Sequence, residues 1–144
     1  MNYALRESLR LTHEEGLEAR FRRHRLNHDA LVAGFGAIGL TLASQPGHTL
    51  WMLNSVNIPK GVDDAAVRRR LLAEHSIEIG VGLGPLRGST WRVGLMGESS
   101  RRTNVLSFLS ALSEVLDREG VRVEIQEPPS RPQRESTGGR ALEG

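Results

Sequence analysis

Two stretches of strand-like alternation stand only five residues apart. Ile77, Ile79, Val81 and Leu83 alternate with Glu78, Gly80 and Gly82, the period of a chain whose successive side chains point to opposite faces. Gly84-Pro85-Leu86-Arg87-Gly88 makes a loop, and Ser89-Thr90-Trp91-Arg92-Val93-Gly94-Leu95-Met96-Gly97 then reads as a second short strand. Strands joined this closely pair antiparallel as a hairpin. Any sheet built on this hairpin is therefore antiparallel there, and helices elsewhere in the chain must cover one of its faces.

The remaining periodicities supply those helices. Leu5 and Leu9 are four apart with Thr12 on the same side, and Gly16 marks a break or kink. A second stripe, Leu17, Phe21, His24, His28, Leu31 and Phe35, steps by fours and threes and ends near Gly36 to Gly39. Leu40 to Ala43 is a short strand candidate, and Thr49 to Ile58 predicts another, with Leu50, Met52, Val56 and Ile58 on one face. Asp63 or Asp64 can cap a helix to about His75, with Val67 and Leu71 facing inward. The clearest helical stripe is Val105, Phe108, Leu109, Leu112, Val115 and Leu116, with Ser99 or Ser100 before it as the expected cap and Gly120 after it as the expected stop. Val121, Val123 and Ile125 predict an added edge strand. The expected architecture is α+β: a small antiparallel sheet with helices on one face, preceded by long N-terminal helices. Residues 1–38 form the helical lead-in, residues 39–126 the α+β domain, and residues 127–144 a disordered tail with too little apolar content to pack.

Composition narrows the class. The chain has 144 residues, 38% hydrophobic and 25% charged, which suits a soluble domain with a real core. No apolar run approaches the roughly 20 residues that span a bilayer. The start, MNYALRESLR, lacks the apolar core of an export signal, so a cytoplasmic location without a membrane partner is expected. The absence of cysteine excludes disulfides and thiolate metal sites. Lys60 is the only lysine among 19 basic side chains, a constraint on any chemistry that needs one.

Candidate sites are few. His24 and His28 lie four apart on one helical face, but no third ligand follows and the glutamate of an HExxH motif is missing. They read as packing and hydrogen-bonding residues. Arg20 to Arg25, Arg68-Arg69-Arg70 and Arg101-Arg102 have acidic neighbours, and aromatic content is 4%, so solvated helix faces are the expectation and not a nucleic-acid surface. Gly80, Gly82, Gly84 and Gly88 lie in and between strands, where glycine marks a bulge or a close approach, and not at a helix start where a phosphate loop would be. Arg92 remains. Alternation places Trp91, Val93 and Leu95 on one face and Arg92, Gly94 and Met96 on the other. An outward surface charge is the simpler reading of the periodicity. The alternative is a guanidinium gripping a carboxylate through two parallel hydrogen bonds, with Gly94 and Gly97 leaving room beside it.

At this hairpin the chain resembles a known family. Ile77-Glu78-Ile79-Gly80-Val81-Gly82-Leu83-Gly84-Pro85 followed by Trp91-Arg92-Val93-Gly94-Leu95-Met96-Gly97 is similar to the C-terminal domain of the alanine–glyoxylate and serine–pyruvate aminotransferases, of the class V group that uses pyridoxal phosphate. Leu5 to Leu9, the Glu14-Glu15-Gly16-Leu17 kink, the Val56 to Pro59 turn and the helix from Asn104 to Leu116 also fit the family pattern, so the resemblance covers about residues 2 to 120. The family usually has Gly at the place of Val81 and often Lys at the place of Ser89. The resemblance implies the small domain of a fold-type I enzyme, with Arg92 binding the carboxylate of the amino or keto acid. It further implies pyridoxal phosphate as cofactor and a homodimer. Transfer of an amino group from alanine or serine to glyoxylate or pyruvate is the implied reaction. It also implies what is missing. The Schiff-base lysine, phosphate cup and pyridine-nitrogen carboxylate lie on the family's large domain, and Ile58-Pro59-Lys60-Gly61 matches a turn instead. A fragment that is inactive without that large domain is therefore expected. A free-standing α+β module for RNA or a carboxylate ligand, or a degenerate gene product, is the alternative.

Overall fold

The computed structural model of the chain describes residues 2–121. Val123 and Ile125 of the expected edge strand, and the expected tail from residue 127, lie outside the described residues. Seven elements follow one another: helices α1 (Asn2–Glu15) and α2 (Leu17–Ala37), strand β1 (Leu53–Asn57), helix α3 (Asp64–His75), strands β2 (Gly80–Val81) and β3 (Thr90–Gly94), and helix α4 (Arg102–Arg118). The sheet is antiparallel with order β1-β3-β2, so the strand that carries Arg92 is central. The α+β expectation holds.

The core lies between one face of this sheet and the helices. Val56, Trp91, Val93 and Leu95 meet Leu31 and Phe35 of α2, Val67 and Leu71 of α3, and the α4 stripe of Val105, Phe108, Leu112, Val115 and Leu116. Phe35 and Phe108 touch edge to face, with centroids 6.2 Å apart, the arrangement favoured by the ring quadrupoles. Helices α3 and α4 turn inward the stripes that their periodicities predict. Asp63 caps α3 by accepting from the N–H groups of Ala65 and Ala66 at 2.8 and 3.1 Å. Gly120 adopts φ 76° directly after α4, and the Val121 N–H returns to the Leu116 carbonyl at 3.2 Å, the left-handed stop expected of glycine.

Several expectations are corrected. Leu50 and Met52 do not face the core with Val56: they precede β1 in a tight reversal and are 60% and 45% exposed. The inward position is instead taken by Asn54, which is buried. Leu40 to Ala43 yields a single bridge, Leu42 to Val56, and not a strand. The segment from Ile77 pairs only at Gly80–Val81. Neither Ser99 nor Ser100 caps α4. Arg101 stands at the cap position with no side-chain bond, because buried Ser100 is turned toward α2, where its carbonyl accepts from Arg23 and Asn27. Leu17 and Phe21 extend their stripe beyond the sheet and are exposed, and α1 buries no residue at all.

Two side chains tie the layers together. The Trp91 indole N–H donates to Asp64 Oδ1 at 2.9 Å, linking the central strand to the first turn of α3. Removing the carboxylate leaves a buried donor without an acceptor. Asp64→Ala is expected to cost about 1–3 kcal/mol, read as a lower urea midpoint with an unchanged slope. Asp64→Asn, which keeps an acceptor, should lose less, and an unaltered midpoint for the alanine variant would show the link to be idle. At the other end, Glu15 accepts from Arg23 and Arg20 across the Gly16 kink. The Arg23 guanidinium holds the Glu15 carboxyl well down, from the ordinary 4.5 to about 2. The folded value lies below the unfolded one, so this pairing stabilises the junction at all pH above the unfolded value, and the stabilisation is lost as pH falls toward about 2. Acidification through that window should lower the amide protection factors of α1, taken against the intrinsic rate at each pH, ahead of those of α4, and Glu15→Gln should remove this pH dependence. An identical acid profile in both proteins would contradict this.

Candidate functional site

The face of the sheet turned away from the helices carries the odd residues of β1 and the even residues of β3. Ser55 pairs with Arg92, and Gly80 pairs with Arg92 from the other side, so one cation stands at the middle of a row of small residues. Arg92 is half-buried, Gly94 exposed, and Trp91 and Val93 on the opposite face are buried. The outward orientation expected from alternation is therefore observed.

Arg92 does not extend straight into solvent. Its Nε–H donates to the Val81 carbonyl at 2.9 Å, so the side chain lies across β2. That path depends on Gly80: a Cβ there would stand 3.2 Å from Nη2 and 3.3 Å from Nε. The carbonyl holds one N–H and leaves Nη1 and Nη2 without partners among the described residues. No acidic side chain pairs with Arg92 among the described residues, whereas Arg20, Arg23, Arg68, Arg70 and Arg118 each meet a carboxylate. A planar cation positioned by a neutral acceptor, with two terminal amino groups left over, is equipped to bind an anion in a bidentate manner.

The glycines divide differently from expectation. Gly94 does leave space beside Arg92, since a Cβ there would meet only Met96 Cε at 3.8 Å. Gly97 does not flank the arginine. It turns the chain at φ 58°, gives its N–H to His24 Nε2 at 3.2 Å, and accepts from Arg23 Nη1 at 2.9 Å. Gly80 takes the role assigned to Gly97: a close approach was expected of a glycine in this strand, and the pairing of the two hairpin strands identifies Arg92 as the side chain that approaches. Gly82 is required by the loop: a Cβ would lie 2.2 Å from the Leu86 carbonyl oxygen. His24 Nδ1 lies 2.8 Å from the Arg20 carbonyl, so both ring nitrogens are occupied. His24 thus fastens α2 to the turn after β3.

Gly80→Ala tests the cradle. Backbone strain is absent at this position, and alanine inside a strand is more stable than glycine by about 0.5–1 kcal/mol. Thermal stability should be retained while the Arg92 Nε–H resonance moves, because the guanidinium must yield. An unmoved resonance would show that Gly80 does not shape the site.

No protein-family model matches the chain. Individual proteins do. It is 48% identical over 124 residues to the (S)-ureidoglycine–glyoxylate transaminase of Bacillus subtilis, taking in 86% of this chain and 30% of that protein. The solved ureidoglycine–glyoxylate aminotransferase from Bacillus subtilis superposes with a TM-score of 0.82 at 48% identity, over 85% of this chain and 32% of that one. An alanine–glyoxylate aminotransferase from Nostoc sp. superposes with a TM-score of 0.77 at 50% identity, over 79% of this chain and 30% of that one. The chain thus spans about a third of the length of the relatives it matches.

Proposed function

We propose that this chain, related over most of its length to one part of the class V aminotransferases of the alanine–glyoxylate type, is the small domain of such an enzyme. Arg92 is the anchor for the substrate carboxylate. The observation that carries this reading is a guanidinium with no carboxylate partner among the described residues, on the sheet face turned away from the helices, held by Val81 and bedded on Gly80. With Nε engaged, the two Nη groups would receive the carboxylate end-on, which sets the acid's orientation without freezing additional side chains. Glyoxylate occurs in the names of the relatives above, which favours a small 2-oxo acid as amino acceptor. Their names differ in the donor, (S)-ureidoglycine in one and alanine in the other, and alanine or serine is the donor proposed for this chain.

The described residues do not form a pyridoxal phosphate site. The chain's one lysine, Lys60, is exposed in the Pro59–Gly61 turn, where nothing desolvates it for Schiff-base chemistry. Pyridoxal phosphate supplies the amino-group carrier in such enzymes, and here it would be held by a separate large domain. The chain's own contribution is binding and orientation, in a cytoplasmic homodimer of the complete enzyme. Alone, it is inactive. No helix among the described residues is long and apolar enough to cross a membrane.

A chimera tests this directly. Replacing the corresponding part of the Bacillus subtilis enzyme with this chain should give a protein that transaminates glyoxylate. Arg92→Ala in the chimera should lower kcat/KM by the worth of a charge-assisted contact, about 1.5–3 kcal/mol. Unchanged kinetics would remove Arg92 from the site, and turnover by the isolated chain with added pyridoxal phosphate would overturn the division of labour.

A further inference from the structure

We infer that Met96 is a specificity-determining residue that limits the side chain of the acid held by Arg92, an inference that rests on the carboxylate-anchor reading. Met96 follows β3 on the same face as Arg92 and Gly94, and it is 60% exposed. Its methyl carbon is the sole neighbour within 4 Å of a Cβ built at Gly94, at 3.8 Å. The thioether therefore folds back along the strand and lies over Gly94. Arg92 leans the other way, across Gly80 toward Val81. On the Arg92 face of the strand Gly94 offers no side chain, and the Met96 methyl group lies over it. Gly94 follows Arg92 by two residues, about 7 Å of strand, so an acid held by Arg92 whose side chain runs along the strand meets the thioether once it exceeds two or three carbons.

Met96 also lines a mainly apolar pocket of about 230 Å³ with Arg20, Phe21, His24, Trp51 and Met52. Met96 thus borders both Gly94 and a space able to hold a larger aliphatic group. Methionine is unbranched and easily displaced, but moving it into the pocket competes with filling that pocket by ligand. An acid with a short side chain meets no obstacle. A branched one must push the thioether aside. Removing the thioether would open the space over Gly94 toward that pocket.

Glyoxylate, pyruvate and 4-methyl-2-oxopentanoate separate the possibilities when titrated into the chain and followed at the Arg92 Nε–H and Met96 methyl resonances. In the wild-type chain, glyoxylate and pyruvate should move both signals, and the branched acid should bind at least about tenfold more weakly than pyruvate, the worth of a misfitted methylene group or more. In Met96→Ala that ratio should fall to within about threefold, through tighter binding of the branched acid. Gly94→Ala, whose added methyl meets Met96 only at ordinary contact distance, should keep the fold and weaken pyruvate more than glyoxylate. An unchanged ratio in Met96→Ala, or equal binding of the three acids by the wild type, overturns the role of Met96 while leaving the anchor standing. If no acid moves the Arg92 signal, or Arg92→Ala binds them equally well, the anchor itself fails and Met96 with it.

Discussion

Trp91 has no exposed surface, and its indole N–H ends on Asp64. The largest side chain of the core is thereby committed to the helical side of the sheet with its polar atom satisfied. Because strand side chains alternate, this commitment places Arg92 on the open side. A slip of one residue would expose the indole and bury an unpaired guanidinium, and both changes cost free energy. The outward cation therefore follows from how the core packs. Asp64 serves twice in this arrangement, since it also receives Arg68, whose guanidinium holds the carboxyl below its usual range. A carboxylate kept charged is the stronger acceptor for the indole.

The helices were legible because their causes are local. Asp63, Val67 and Leu71 state where α3 begins and which side faces inward, and the α4 stripe from Val105 to Leu116 is buried as its spacing predicts except at Leu109, which is partly buried. Elements whose limits depend on distant partners were not. Leu50 and Met52 alternate properly with Val56, but the sheet ends before reaching them. Ser100 has the chemistry of a helix cap, yet Asn27 and Arg23 on α2 claim its carbonyl from more than seventy residues away. Gly97 looked like the neighbour of Arg92 because it is near in sequence. Gly80 is the neighbour because it is near in register. For Arg92 itself, periodicity correctly indicated the outward direction and was silent about purpose. The resemblance of the surrounding hairpin supplied that part.

Arg92 stands apart by how it is oriented and not by lacking a carboxylate, since Arg6, Arg22, Arg69, Arg87 and Arg102 meet none either among the described residues. The chain is arginine-rich but nearly neutral, with a net charge of +2, and its helices spend most of that charge on their own carboxylates. Arg23 bridges Glu15 to the turn after β3, Arg70 reaches Glu119, and Arg118 spans Glu74 and Glu114. These pairs are partly or largely solvated and contribute modestly to stability. Arg92 is oriented by a backbone carbonyl instead. A carbonyl supplies direction through its dipole without cancelling the positive charge, so the guanidinium is both fixed and still attractive to an anion.

The acceptor that fixes it belongs to a strand only two residues long, at the edge of the sheet. Short edge strands open at a fraction of the global unfolding free energy, and when β2 separates from β3 the Val81 carbonyl leaves with it. The position of the cation is then reset by a local event that leaves the core intact. Occupancy of the guanidinium and closure of this edge are consequently linked quantities: an anion that prefers the seated arginine must, by the same free energy, favour the zipped edge.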